Sequence, residues 1–191
     1  MTSIHVRRRE VAAAITVSIL LCVSCSSEND ISKMCRFHRV LEADGVLAEV
    51  YVLKVEPASI GSYRVKFSFE DGTVQKFERL RNGTIADVWL EDLGRDGMME
   101  LLVWTTSAGT GSYGKIDIFR QRGEEFEILE VAELDVEQSS GYMGHDRFEV
   151  MGGELFRSFR AYGASDVQAR PRGGVRRLRY ALTQNCWVEE K

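Results

Sequence analysis

Glu100-Leu101-Leu102-Val103-Trp104-Thr105-Thr106-Ser107-Ala108-Gly109-Thr110-Gly111-Ser112-Tyr113-Gly114-Lys115-Ile116-Asp117-Ile118-Phe119 reads as strand, loop, strand. Leu101 to Thr105 form an unbroken apolar and β-branched run, the pattern of a strand buried on both faces. Lys115 to Phe119 form a second strand with Ile116 and Ile118 on one face. The loop between them, Ser107 to Gly114, holds three glycines and one aromatic, Tyr113. Glycine lets the backbone take positive φ and lie close to a partner. Tyr113 on such a loop either folds back on its own sheet or is offered outward as an anchor.

Gly109, Gly111 and Gly114 also spell G-x-G-x-x-G. A dinucleotide site needs a helix after the last glycine, with its N-terminus on the pyrophosphate. Here a strand follows. No V-A-I-K, H-R-D or D-F-G motif follows either, so a kinase glycine loop is excluded.

Outward from this stretch, alternation continues in both directions. Leu47 to Val55 reads as a strand. Tyr63, Val65, Phe67 and Phe69 alternate with Arg64, Lys66, Ser68 and Glu70, a half-buried strand. Asp71-Gly72 and Asn82-Gly83 are hairpin signals, flanking Val74 to Leu80 and leading into Thr84 to Glu91. Gly123-Glu124 turns the chain into Phe126 to Val131. Ser139 to Gly144 is a second loop with glycines around a tyrosine. Asp146 to Met151, Gly152-Gly153 and Leu155 to Tyr162 read as a hairpin. Leu178, Tyr180 and Leu182 alternate with Arg177, Arg179 and Ala181, and Trp187 closes the core. No stretch sustains a 3.6-residue period. The expected fold is all-β, an antiparallel β-sandwich of about eight or more strands around one core.

The 191 residues suit one domain preceded by a leader. Arg7, Arg8 and Arg9 form a basic segment, and Val11 to Val23 an apolar run too short to span a bilayer comfortably. Ser24-Cys25-Ser26-Ser27 follows, which resembles a bacterial lipoprotein signal with Cys25 as the lipidated residue. The expected organisation is a signal peptide over 1–25, a polar tether over 26–34 and a single domain over 35–191. Membrane association is expected through the lipid anchor only. The alternative is an ordinary cleaved leader.

With Cys22 removed and Cys25 lipidated, Cys35 and Cys186 remain. Two thiols in an exported chain most often pair, which would tie the start of the domain to its last strand; two buried thiols are the alternative. The formal charge is −4, and the leader's three arginines and Glu10 carry +2, leaving −6 on the rest. That balance disfavours nucleic acid and suits a basic partner.

Asp92, Asp96 and Glu100 stand at relative positions 1, 5 and 9 of an acidic turn with Gly97 at position 6, the outline of a calcium loop. Gly94 departs from the pattern, and Arg95 could replace the ion. The plainer reading is a tight turn in which the carboxylates cap backbone amides. A Ser107, His145 and Asp117 triad can be written down, but there is no G-x-S-x-G elbow. His145-Asp146 reads as a solvated turn, and no carboxylate pair stands out for glycoside hydrolysis. An enzyme is not expected. Arg170, Arg172, Arg176, Arg177 and Arg179 read as a solvated face paired with acids, or as a contact for cell wall or anionic lipid.

Three ordered blocks carry a family resemblance. They are Val55-Glu56-Pro57-Ala58-Ser59-Ile60-Gly61-Ser62-Tyr63-Arg64-Val65, Asp87-Val88-Trp89-Leu90-Glu91-Asp92-Leu93-Gly94-Arg95-Asp96-Gly97, and Ser107-Ala108-Gly109-Thr110-Gly111-Ser112-Tyr113. Together they resemble the periplasmic inhibitors of invertebrate-type (i-type) lysozyme. The tail, from Asp146 to Val150, from Ser158 to Tyr162 and from Gly173-Gly174 to Tyr180, is similar to longer members. The resemblance implies an exported β-sandwich, often a homodimer, that inserts a loop into the lysozyme cleft. The family's Ser-Gly-x-Tyr pattern falls on Thr110, Gly111 and Tyr113, within the loop that begins at Ser107. The family also uses an arginine on the following strand, for which Arg120 is the nearest candidate. The expected function is a non-enzymatic, envelope-anchored lysozyme inhibitor on the periplasmic side, with Ser26 and Ser27 resembling outer-membrane sorting. The alternative is a calcium-stabilised β-module of the cell envelope; otherwise no cofactor is expected.

Overall fold

The computed structural model describes residues 28–163, 166 and 173–190. The leader with Cys25, and Arg170 and Arg172, lie outside these residues. Helix α1 (Glu28–Met34) occupies most of the stretch read as a polar tether. Its end is fixed to the domain, because the Lys54 amide donates to the Met34 carbonyl at 2.8 Å.

Among the described residues, twelve strands then form three four-stranded antiparallel sheets. The first contains β1 (Cys35–Ala43), β2 (Val46–Leu53), β3 (Ile60–Phe69) and β4 (Val74–Asn82), side by side in chain order. The second contains β5 (Thr84–Glu91), β6 (Glu100–Thr106), β7 (Gly114–Arg122) and β8 (Glu125–Leu129). The third contains β9 (Arg147–Met151), β10 (Glu154–Arg160), β11 (Val175–Ala181) and β12 (Cys186–Glu189), in the order β12-β11-β10-β9. The expected all-β antiparallel sandwich is the observed architecture. Strand β1 was not legible, because Arg36, His38, Arg39 and Glu42 dilute the apolar alternation of an edge strand.

The layers follow from the alternation along β6. Leu101 and Val103 point to one side and pack with Val50, Tyr63, Val65 and Phe67 of the first sheet and Phe119 of β7. Leu102 points to the other side and packs with Ile116, Ile118, Leu155, Phe159, Leu178 and Trp187. The second sheet is therefore the middle layer, covered on both faces, and the domain has two cores instead of the expected one. The third sheet supplies the second cover.

Asp71-Gly72 turns β3 into β4, with Asp71 accepting from the Thr73 amide and hydroxyl, both at 2.7 Å. Asn82-Gly83 is different. Strand β4 pairs with β3 and β5 with β6, so Gly83 is the corner where the chain leaves the first layer for the second. A Cβ there would fall on the Thr106 carbonyl, and Arg81 braces the corner through the carbonyls of Pro57, Ala58 and Gly83.

Cys35 and Cys186 are both free thiols, which corrects the expected bridge. Cys35 begins β1 in the first layer and Cys186 begins β12 in the third. Stacked sheets lie about 10 Å apart, so outer layers are separated by about 20 Å, whereas a disulfide needs Cα atoms within about 7 Å. Reducing agent is accordingly expected to leave the melting temperature unchanged. Thiol titration after unfolding should count both cysteines free; a drop in melting temperature on reduction would show a bridge.

Candidate functional site

The loop Ser107–Gly114 joins β6 to β7 at one end of the middle sheet. Ser107 holds its two ends together: its amide donates to the Tyr113 carbonyl at 2.8 Å, and its Oγ accepts from the Tyr113 amide at 2.9 Å. Ser112 takes φ of 43° and donates to the Gly109 carbonyl at 3.0 Å, which closes a turn inside the loop. Ala108, Gly109 and Thr110 form an exposed tip. The amides of Ala108, Gly109, Thr110 and Gly111 have no acceptor among the described residues. Tyr113 is 49% exposed and makes a T-shaped contact with Tyr142, ring centroids 5.7 Å apart. The side chain is thus divided between the two readings, about half packed on the protein and half offered outward.

The second tyrosine-bearing loop, Ser139 to Asp146, lies directly against the first. The His145 amide donates to the Gly111 carbonyl at 2.6 Å, and Asp146 accepts the Gly114 amide at 2.7 Å. Asp146 is buried, contrary to its reading as part of a solvated turn. It also accepts the Tyr142 hydroxyl at 2.5 Å and Arg157 Nε at 2.8 Å. Arg157 Nη2 donates to the Tyr142 hydroxyl at 2.9 Å, and its guanidinium lies 5.1 to 5.8 Å from the rings of Tyr142, Phe148, Phe159 and Trp187. Burial, and next the Asp146 carboxylate, push the Tyr142 phenol well above its ordinary pKa, so it remains a donor. A cavity of ≈ 410 Å³ opens behind Tyr113, lined also by Lys115, Asp117, Tyr142, Arg157 and Trp187.

Arg120 stands away from this site. It is six residues beyond Gly114 on β7, which at about 3.3 Å per residue is about 20 Å. There it pairs with buried Glu100 at 3.3 Å. Ser107, Thr110, Gly111 and Tyr113 are thus brought together, and Arg120 is not with them.

The acidic turn does not gather a cation site. Asp92 accepts from the amides of Asp96 and Gly97 at 3.1 and 2.9 Å, Asp96 from the amide of Met98 at 3.0 Å, and Glu100 from the amide of Leu93 at 2.9 Å. The carboxylates point at separate backbone groups, and no cluster of three metal-binding side chains exists among the described residues. Arg95 reaches to the Gly152 carbonyl at 2.8 Å instead. The triad does not assemble either. Asp117 faces the first sheet, accepting Tyr63 Oη at 2.6 Å and pairing with Arg79 and Lys115 at 3.4 and 3.1 Å, while His145 is exposed on the other side. The late arginines within the described residues pair with acids: Arg176 with Glu189, Arg177 with Glu190 and Arg179 with Glu154.

Residues 35–141, just over half the chain, match the family model described as periplasmic lysozyme inhibitor of I-type lysozyme. Two solved structures are similar over about half of the chain. One, of Aeromonas hydrophila PliI in complex with Meretrix lusoria lysozyme, is 31% identical over 49% of this chain and 81% of its own, with a TM-score of 0.44. The other, of PliI-Ah alone from the same organism, is 32% identical over 48% and 84%, also with a TM-score of 0.44. No curated protein matches the chain.

Two outcomes are expected of the acidic turn. Calcium or a chelator should leave the melting temperature unchanged, as a denaturation scan would show. Burial lifts the Glu100 carboxyl above its usual range, more than the Leu93 amide and Arg120 lower it. A folded pKa above the unfolded value, about 4.3, means that Glu100 favours folding below that pH and loses this contribution as pH rises through the folded pKa. Relative to Glu100→Gln, the native protein should therefore lose stability as pH climbs from about 4; parallel stability–pH curves would contradict this.

Proposed function

The chain belongs to the family of periplasmic lysozyme inhibitors of I-type lysozyme, and from that premise we propose that it blocks a lysozyme by placing the Ser107–Gly114 loop in the active-site cleft. The observation that carries this reading is the exposed tip with four successive amides that have no acceptor among the described residues, beside half-exposed Tyr113. A lysozyme works with two carboxyl groups in a cleft. A tip of small residues is slim enough to enter it. The four N–H groups are donors available to a carboxylate, and the Thr110 hydroxyl adds another. Tyr113 has only two side-chain torsions to freeze and presents a rigid apolar surface, the composition of a binding hot spot. The net acidity of the domain favours encounter with a basic lysozyme.

The chain would act from the envelope, held by a lipid on Cys25 and facing the periplasm, with outer-membrane sorting suggested by Ser26 and Ser27. No catalytic constellation is required of an inhibitor. A homodimer would not use the faces of the middle sheet, since both are covered.

The test is lysis of a peptidoglycan suspension by lysozymes of the invertebrate, chicken and goose types, each titrated with the protein. Stoichiometric inhibition of at least one type is expected. Tyr113→Ala should weaken it by at least about 2 kcal/mol, roughly thirtyfold, while the melting temperature stays nearly constant. Equal inhibition by the variant would remove the loop from the binding surface.

A further inference from the structure

Loops rich in glycine are ordinarily mobile, and a mobile loop loses affinity when it is ordered on binding. The Ser107–Gly114 loop is held from outside by a segment beyond the family match, which ends at residue 141. We propose that the second loop from Tyr142 to Asp146, with the third sheet behind it, serves as a positioning device that presets the shape of the Ser107–Gly114 loop for its partner, with Asp146 as the positioning residue. This rests on the inhibitory reading of that loop.

Three contacts make the clamp. The His145 amide takes the Gly111 carbonyl, just after the exposed tip. The Asp146 carboxylate takes the Gly114 amide, at the root of β7. The Tyr142 ring supports the Tyr113 ring in a T-shaped contact. Behind them the clamp is rigid. Asp146 has three donors on its two oxygens, and Arg157 is fixed on β10 amid four aromatic rings. The Tyr162 amide donates to the Gly141 carbonyl at 2.9 Å, which ties the start of the second loop to the end of the same strand.

Two glycines record how close this approach is. At Gly144, with φ of 86°, a Cβ would lie 2.1 Å from the Gly111 carbonyl oxygen. At Gly114 a Cβ would lie 2.6 Å from the Asp146 Cβ and 2.8 Å from the Phe148 ring. Side chains at either position would part the two loops. The first loop closes its own ends through Ser107, but nothing within it fixes the Gly111 carbonyl. The tip therefore takes its direction from the third sheet. Because Tyr113 and Tyr142 share one ring contact, the clamp sets the anchor's orientation as well as the backbone's.

The test compares native protein with Gly144→Ala, which wedges the loops apart and leaves the Asp146–Arg157 pair intact, and with Asp146→Asn, which removes the charge that gathers the three donors. Amide hydrogen exchange and lysozyme inhibition are read on each, with the melting temperature as control. In both variants the Gly114 and His145 amides should exchange at least about tenfold faster while those of β6 hold. Inhibition should weaken at least about tenfold at a temperature where each variant is still folded, Asp146→Asn melting lower than the native protein because Arg157 is left buried without its counter-charge. Unchanged exchange at these amides, or faster exchange with undiminished inhibition, would overturn the proposal. If Asp146→Asn melts too low to assay, Gly144→Ala decides. If Tyr113→Ala leaves inhibition untouched, the loop assignment fails, whereas the exchange comparison still decides whether the clamp exists.

Discussion

Strand β6 has no wet face, and the rest of the molecule is arranged to satisfy it. Leu101, Leu102 and Val103 are each fully buried, yet successive residues of a strand point in opposite directions. Burying all three requires a layer on each side of the sheet. A cover on one side only would leave Leu102, Ile116, Ile118 and Leu129 to water, together with Trp89 and Trp104. Burying a large aliphatic side chain contributes about 1.5–3 kcal/mol, so the second cover adds a second core, not a decoration. The third sheet is that cover, and its position over the far face is also what brings its leading loop against the Ser107–Gly114 loop.

Three buried acids lie on or against the middle sheet, and each is matched with an arginine. Asp117 meets Arg79 beside the Tyr63 hydroxyl, Glu100 meets Arg120 beside the Leu93 amide, and Asp146 meets Arg157 beside the Tyr142 hydroxyl and the Gly114 amide. Burying such pairs costs desolvation that their attraction repays only with good geometry and further hydrogen bonds. Their use here is in register and placement. Asp117 fixes how the first sheet sits on β7, Glu100 ties the acidic turn to β6, and Asp146 ties the third sheet to the loop. Burial and a neighbouring carboxylate raise the phenols of Tyr63 and Tyr142 alike, so both stay protonated and keep donating.

Local chemistry was legible where it is decided locally. The turns at Asp71-Gly72, Gly123-Glu124 and Gly152-Gly153 join strands as their residues require, and the alternation from Tyr63 to Phe69 is a half-buried strand. Asn82-Gly83 has the same local signature as a hairpin but makes a corner between layers, because a turn residue fixes φ and not the sheet that the next strand will join. The acidic spacing of Asp92, Asp96 and Glu100 fitted either a cation loop or the plainer tight turn of capped amides. The carboxylates cap amides, and the choice between ion and amide depends on where each oxygen points.

The sequence by itself determined most of the strands and turns, the strand with two apolar faces and the glycine-rich loop with its tyrosine, because these depend on side-chain period and on φ preferences carried by single residues. Only the tertiary structure decided that there are two cores, that Cys35 and Cys186 stand in opposite outer layers, that Arg120 serves Glu100 far from the loop, and that Asp146 is buried under Gly114. Each of these is a relation between segments distant along the chain. It is set by which face of the middle sheet each segment covers, and no periodicity within either segment encodes that choice.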